Sequence, residues 1–468
     1  MTVSTPHPPP LPTLLCGLLA LFALAGAFSP RPGLAGPEFS VLPDTVDLAR
    51  LRAAAAAQDP RALQPEILAR ATRLRLESLR TGRLPQLALT GQATLQSDVP
   101  TVPITLPDGT TPSSPREQAR AQVEVDWSLY DGGRIARQAR VERARLGEQQ
   151  AGVAVALYGL QEAVTEAYFG ALLLQAQAQM LALAAEDVEA RLAFLRKRAQ
   201  GGAALASEAG TVEAEQIRIH QQIDQAEADR RAALAVLSDL TDLRLSSDDV
   251  LALPDLDDAA LGAVPMDVPG EAGPLGVAER PEFRRFAQTQ ERAQAEARLA
   301  TAAKRPTLSV FGQAGVGRPS PLDFLSEDVS EYGLVGVRVR WAPLDWGRAR
   351  REAEAARLQA DVAQTEADAF ARQLRRETED DLATLARLEA VATDDARVVA
   401  LREEALRVAR RQLEEGVLPA PDYTDALTDL TEARLVLERH RIERAQAQAR
   451  LLSTLGRYPD APLATDVR

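Results

Sequence analysis

Val123-Glu124-Val125-Asp126-Trp127-Ser128-Leu129-Tyr130-Asp131-Gly132-Gly133-Arg134 and Val337-Arg338-Val339-Arg340-Trp341-Ala342-Pro343-Leu344-Asp345-Trp346-Gly347-Arg348 run alike. Each alternates apolar and charged residues up to a Trp, then turns through Asp and Gly to an Arg. Period-two alternation is a β-strand with one apolar face. Beyond each Arg the chain changes in kind. No Pro occurs between Asp131 and Leu253, nor between Leu344 and Leu418, and both stretches are rich in Ala, Leu, Arg, Glu and Gln. These are strong helix formers. Residues 348–415 as one helix would measure roughly 100 Å at 1.5 Å per residue. Coiled coils and elongated bundles use helices of that length; globular cores do not. Charges of mixed sign, as in Arg402-Glu403-Glu404, mark a solvated helical face.

The likeness extends outward in both directions. Pro60, Pro85 and Gly91-Gln92-Ala93 recur 221 residues later as Pro281, Pro306 and Gly312-Gln313-Ala314. Trp127, Asp131, Gly133 and Arg134 recur 214 residues later as Trp341, Asp345, Gly347 and Arg348, and Gly202 and Glu208 match Gly416 and Asp422 at the same offset. The two offsets differ by a seven-residue loss between Ala93 and Trp127, and recurrence of this kind signals a repeat architecture. The expected fold is mainly α with a small β part, built from two tandem repeats of helix, strand, strand, long helix, helix. Repeat 1 is residues 41–240, with strands 86–96 and 119–129, long helix 133–200 and tip 201–208. Repeat 2 is residues 280–458, with strands 306–316 and 334–342, long helix 348–415 and tip 416–422. An acidic, Pro-dotted linker, 241–279, joins them; residues 97–118 and 317–332 read as loops, and 459–468 as a tail.

Composition removes several function classes. The 468 residues carry 54 basic against 67 acidic side chains, a net charge of −13, which argues against a nucleic-acid partner. Three His (His7, His220, His440) and one Cys (Cys16) supply neither a thiolate nor a His-rich metal site. There is no P-loop motif and no nucleophile–base set, so neither enzymatic activity nor a cofactor is expected. His220 and His440 take surface or packing roles. Residues 14–27 are apolar or small, too short to span a bilayer as a helix, and read as the core of an export signal over 1–27. Cleavage falls after Ala27 or Ala35. The alternative is a buried apolar helix. Cys16 lies too early in the run for lipidation, and its removal leaves a chain without disulfides.

All four strands alternate over nine or ten residues, enough for a tilted transmembrane strand. A soluble sheet shows the same alternation, but export and the small number of strands favour a membrane. A sheet in lipid must close, because its edge groups find no water there. Four strands cannot close alone: two chains would give eight, three would give twelve. The charged even positions Arg120, Glu124, Asp126, Arg338 and Arg340 would then face a watery lumen. Trp127 and Trp341, with Trp346, would mark the membrane interface.

The repeat, the two strand ends and the tips Gly202-Ala203-Ala204-Leu205-Ala206-Ser207-Glu208 and Gly416-Val417-Leu418-Pro419-Ala420-Pro421-Asp422 resemble the TolC family of outer-membrane efflux proteins. Resemblance implies a homotrimer in outer-membrane lipid, with a 12-stranded β-barrel and a periplasmic α-barrel. It also implies docking to a periplasmic adaptor and an inner-membrane pump, in efflux or type I secretion. A periplasmic adaptor or coiled-coil scaffold is the rival reading, though an adaptor has one helical hairpin rather than two repeats. Short apolar residues at the tips (Ala203, Ala204, Leu205, Val417, Leu418, beside Gly202 and Gly416) have no core to enter there and suit a docking surface. Asp422 and Asp425, three apart, share a helix face and match the family's paired aspartates at the narrow periplasmic entrance. The same pattern after Pro421 also suits an N-cap. Resemblance places a tethering basic residue near this tip, where this chain has Leu418.

Overall fold

The computed structural model describes residues 45–99, 113–201, 205–256, 280–320 and 328–457. The export signal 1–27, tip residues Gly202, Ala203 and Ala204, linker residues 257–279 and the tail 459–468 lie outside the described residues.

Elements run in the order β1 (Thr45–Val46), α1 (Leu48–Gln58), α2 (Gln64–Thr81), β2 (Gln86–Leu95), β3 (Glu117–Tyr130), α3 (Arg134–Gln200) and α4 (Ala206–Thr241). Next come β4 (Val250–Leu251), α5 (Pro281–Ala300), β5 (Thr307–Arg318), β6 (Ser330–Arg340), α6 (Arg348–Glu414) and α7 (Ala420–Thr454). The order helix, strand, strand, 67-residue helix, shorter helix thus occurs twice. At 1.5 Å per residue each 67-residue helix is about 100 Å long. α3 forms an antiparallel hairpin with α4, and α6 with α7; α5 packs on both α3 and α6.

The strands form one four-stranded sheet in the order β2-β3-β5-β6, antiparallel throughout. β3 and β5 join the two halves at the centre, leaving β2 and β6 as edges. Several boundaries differ from expectation. β3 and β6 begin earlier than 119 and 334, because residues that read as loop continue the ladder: Glu117 pairs with Leu95 and Ser330 with Gly317. β6 stops at Arg340 rather than 342, where Ala342 precedes Pro343 and Pro has no N–H to donate. Both tips are shorter than expected, since α4 starts at Ala206 and α7 at Ala420, making Glu208 and Asp422 helical.

Midway along α3 lies the first core. Leu160, Val164, Tyr168, Phe169 and Leu172 pack against Val46, Leu51, Leu234, Leu237 and Leu251. A two-stranded parallel ribbon, β1 with β4, is clamped there: the Tyr168 hydroxyl donates to Val46 O at 3.0 Å and to Ala252 O. Gln175 donates to Leu251 O and accepts from Leu251 N, both at 2.9 Å. Burial pushes the Tyr168 phenol well above its usual range. This ribbon was not legible in the sequence, because two residues carry no period.

Candidate functional site

The pairing register sorts the sheet's side chains without ambiguity. Leu87, Val125, Gly312 and Val335 form one cross-strand row, and Ala88, Glu124, Gln313 and Leu334 form the next on the opposite face. Arg120, Glu124, Asp126, Arg338 and Arg340 therefore share one face. They interact across strands: Arg120 Nε donates to Gln92 at 3.1 Å, Thr90 to Glu124 at 3.2 Å, and Arg338 lies 3.5 Å from Asp126. Phe311 and Tyr332 also sit on this face, the former under the Arg338 guanidinium at 4.6 Å. The other face is apolar and open, with Leu89 at 81% and Val335 at 80% exposure. An exposed apolar face of this extent marks an interaction or membrane surface.

At the foot of the sheet the two halves repeat a junction. Asp131 accepts from the amides of Gly133 (2.8 Å) and Ile135 (2.6 Å), and Asp345 from those of Gly347 (3.0 Å) and Ala349 (2.9 Å). Burial pushes the Asp131 carboxyl up, but those amides outweigh it and hold it below the usual carboxylate range. The Ala349 amide chiefly, then Gly347 and Lys304, does the same for Asp345. Gly133 and Gly347 take φ of 79° and 78°, a region closed to most side chains. That explains the recurring Asp-x-Gly-Arg spacing: an acceptor for the orphan amides of a helix start, then the residue able to turn into it. Trp127 and Trp341 lie on the apolar side, and their indoles donate to Arg83 O (3.0 Å) and Lys304 O (3.2 Å).

Among the tip residues, Gly416 adopts φ 76°, with Val417 N donating to Gln412 O (2.8 Å) and Gly416 N to Leu413 O (3.2 Å). This is a Schellman cap, which needs a left-handed residue there. At the other tip the position equivalent to Glu415 is Gly201, with φ −83°, and Gly202 lies outside the described residues. Leu205 and Val417 are exposed, at 67% and 72%. Leu418 is not: it packs on a second core with Leu195, Val212, Leu413, Tyr423 and Leu427. The expectation that it had no core to enter is corrected. Both hairpins contribute to that core, so their tips share an interior.

No basic residue stands at position 418, yet cations bridge the hairpins nearby. Arg191, 5% exposed, donates to Arg410 O (3.3 Å) and reaches Glu414 (3.5 Å), with its guanidinium 4.6 Å from the Phe194 ring centre and 5.0 Å from that of Tyr423. Arg198 donates to the last carbonyls of α6, Leu413 O (3.2 Å) and Glu414 O (2.7 Å), where the helix dipole favours a cation. Arg410 pairs with Asp187 at 2.9 Å. Burial pushes the Tyr423 phenol up. Sequence reasoning passed over these residues. Arg191 and Arg198 lie two helical turns apart on one face of α3, a signal masked by the many other arginines.

Asp422 and Asp425 are both exposed at the start of α7. Neither is the N-cap, which is Pro419 without any side-chain hydrogen bond. Asp422 sits in the first turn, where a carboxylate is favoured by the helix dipole. His440 meets Asp395 at 2.7 Å, and His220 bonds the carbonyl of Gln216 at 2.8 Å.

Higher up, a cleft of about 230 Å³ between α3, α6 and α7 is lined by Glu162, Glu166, Glu377, Asp380, Asp381 and Arg450, among others. Burial, reinforced by Asp380 and Glu377 and opposed by Arg450 and Thr454, pushes the Asp381 carboxyl up to about 6. A raised folded-state value means that this group's stabilising protonation is complete below about 3.8 and lost as pH rises through about 6. Asp381→Asn is therefore expected to raise the thermal midpoint at pH 7.5, with the gain shrinking as pH falls through 6. Melting followed by circular dichroism checks this; a gain independent of pH would contradict it.

Residues 276–457 match the family model described as outer membrane efflux protein. No curated protein matches the sequence. Among solved structures, the chain is similar to the outer-membrane channel OprN, at 18% identity over 88% of this chain and 90% of that one, with a TM-score of 0.64. It is similar to CusC at 16% identity, over 92% of this chain and 99% of that one (TM-score 0.65). The Campylobacter jejuni outer membrane channel CmeC gives 14%, 88% and 86% (TM-score 0.63). At these identities the likeness is one of fold, and it spans most of each chain.

Proposed function

We propose, from the match of residues 276–457 to the outer membrane efflux protein family, that this chain is the passive exit duct of a tripartite efflux assembly. The observation that carries this reading is the open four-stranded sheet: exposed and apolar on one face, charged on the other, and continuous with two helices of 67 residues. Edges β2 and β6, at 10 and 11 residues, would leave unpaired backbone groups in lipid, which a bilayer does not tolerate. Three copies close the ladder as twelve strands, with the face of Arg120, Glu124, Asp126, Arg338 and Arg340 inside as a watery lumen. Trp127 and Trp341 lie at the interface with lipid. The helices continue the passage into the periplasm, and energy comes from an inner-membrane pump. Leu205 and Val417, exposed at the tips, are the docking points for a periplasmic adaptor. Outer-membrane fractionation tests this directly: a heat-modifiable trimer is expected, and a soluble monomer would remove the duct.

Three copies would also bring six carboxylates from Asp422 and Asp425 around one axis at the periplasmic entrance. Acidic rings in pores attract cations and bind multivalent ones. Since neither aspartate caps its helix, replacing them costs the start of α7 only Asp422's interaction with the helix dipole, about 1 kcal/mol or less. In planar bilayers, Asp422→Ala with Asp425→Ala is expected to weaken cation selectivity and relieve block by trivalent cations by about tenfold or more. Unchanged block would mean that the ring does not form.

A further inference from the structure

The junction repeated at the foot of the sheet has a charge pattern that its capping role leaves unexplained. The chain is strongly acidic overall, at −13, yet each first strand is preceded by exposed cations: Arg80 and Arg83 before β2, Lys304 and Arg305 before β5. The Trp contacts say which way this collar faces. Trp127 belongs to the apolar face of β3, and Trp341 continues that of β6. Their indoles bond the carbonyls of Arg83 (3.0 Å) and Lys304 (3.2 Å). The backbone bearing the cations therefore lies beneath the apolar face, not the charged one. β3 is paired on both sides within the chain, so no further strand can stand between Trp127 and its surroundings.

The nearby acids offset only part of the collar. Asp345 pairs with Lys304 at 3.5 Å, and Asp131 stands beside Arg83. Arg80 and Arg305 make no ion pair among the described residues. Aromatic residues backed by cations at one edge of an apolar band form an arrangement that suits an anionic headgroup layer.

Building on the duct reading, we propose that Trp127 with Arg80 and Arg83, and Trp341 with Lys304 and Arg305, form two stations per chain that bind anionic phospholipid headgroups in the leaflet facing the helices. A closed trimer would carry six such stations, each at the level where the sheet passes into the helices. They seat the duct at a defined depth. The indole holds the headgroup–chain boundary, and the cations hold the phosphates.

The test uses the full-length trimer in nanodiscs of phosphatidylcholine and phosphatidylglycerol mixed 4:1, with the lipids retained after mild detergent exchange counted by native mass spectrometry. Phosphatidylglycerol is expected to be enriched over its share of the bulk. Each basic residue near an anionic surface contributes about fivefold in binding. Arg83→Gln with Lys304→Gln should therefore cut the enrichment at least fivefold while trimer and conductance persist. Raising salt from 50 to 500 mM should weaken the wild-type enrichment too, a readout that needs no variant. A membrane-inserted trimer with no enrichment, or with enrichment indifferent to both salt and substitution, overturns the stations and leaves the duct standing. So does a variant that keeps its lipid but loses anion conductance, which would place the cations in the passage. A wild type that is soluble and monomeric defeats the duct reading itself.

Discussion

Val125→Pro is expected to yield no membrane-inserted trimer. Val125 lies at the middle of β3, opposite Leu87 on one side and Gly312 on the other, so its backbone is enclosed by ladder on both flanks. Proline removes the N–H and is found in sheets only at edges or bulges. In water a lost ladder bond costs about 1 kcal/mol net. In lipid the orphaned carbonyl opposite finds no substitute, and each such group costs several kcal/mol. The penalty would be incurred three times in a trimer. Val337→Pro supplies the contrast: Val337 faces Val310 alone within the chain, because β6 is an edge. If the sheet closes between copies, this variant too should fail to insert, since its strand then has partners on both sides. Val337→Pro inserting normally while Val125→Pro fails would mean that β6 remains an edge and that the barrel is not closed. Heat-modifiability on electrophoresis and outer-membrane fractionation read both outcomes.

The second large effect is expected at the tips. Arg191→Ala with Arg198→Ala should raise the resting conductance of the purified trimer by about tenfold or more. Arg191 is 5% exposed, but its acidic partner Glu414 is half-exposed, so the ion pair itself is screened and contributes little. More is lost with the guanidinium's contacts to Phe194 and Tyr423 and the packing of its stem, together about 1–3 kcal/mol. Arg198 adds its bonds to the last carbonyls of α6. At about 1.4 kcal/mol per factor of ten, that sum is enough, on the proposed duct reading, to shift the tips measurably toward an open arrangement. Arg196→Ala is the control. Arg196 joins Glu213 at 3.1 Å between α3 and α4, the two helices of a single hairpin, with both side chains about half-exposed. It should leave conductance unchanged. Unaltered conductance in the double variant would mean that the bridge between hairpins is structural packing and not a restraint on opening.

Much of this architecture could be read from residue order. Alternation such as Val123-Glu124-Val125-Asp126-Trp127 admits one secondary structure and two faces, since a strand's period is two. The absence of Pro over residues 348–415, in a sequence of strong helix formers, admits little but a long helix. The Asp-x-Gly-Arg recurrence marked both junctions, because a helix start needs an acceptor and a left-handed turn needs glycine. The acidic pair Asp422 and Asp425 could be placed on one helix face by spacing alone. Whether either one caps the helix could not, because that depends on where α7 begins, and it begins at Ala420.

Other features exist only through contacts between segments far apart in the chain, and no local period encodes those. The ribbon of Thr45–Val46 with Val250–Leu251 joins strands some two hundred residues apart and is held by Tyr168 and Gln175 from a third segment. Leu418 looked like a stranded apolar residue, but the two hairpins build a shared core for it. The bridging role of Arg191, Arg198 and Arg410 depends on α3 lying beside the end of α6, which brings residues more than two hundred positions apart within hydrogen-bonding range. Short-range order arises from steric and hydrogen-bonding preferences that each residue carries with it, and so it was determined by the sequence read locally. Which of many similar arginines and leucines is buried, bridging or exposed depends on how two 67-residue helices lie against each other, and that was decided only by tertiary packing.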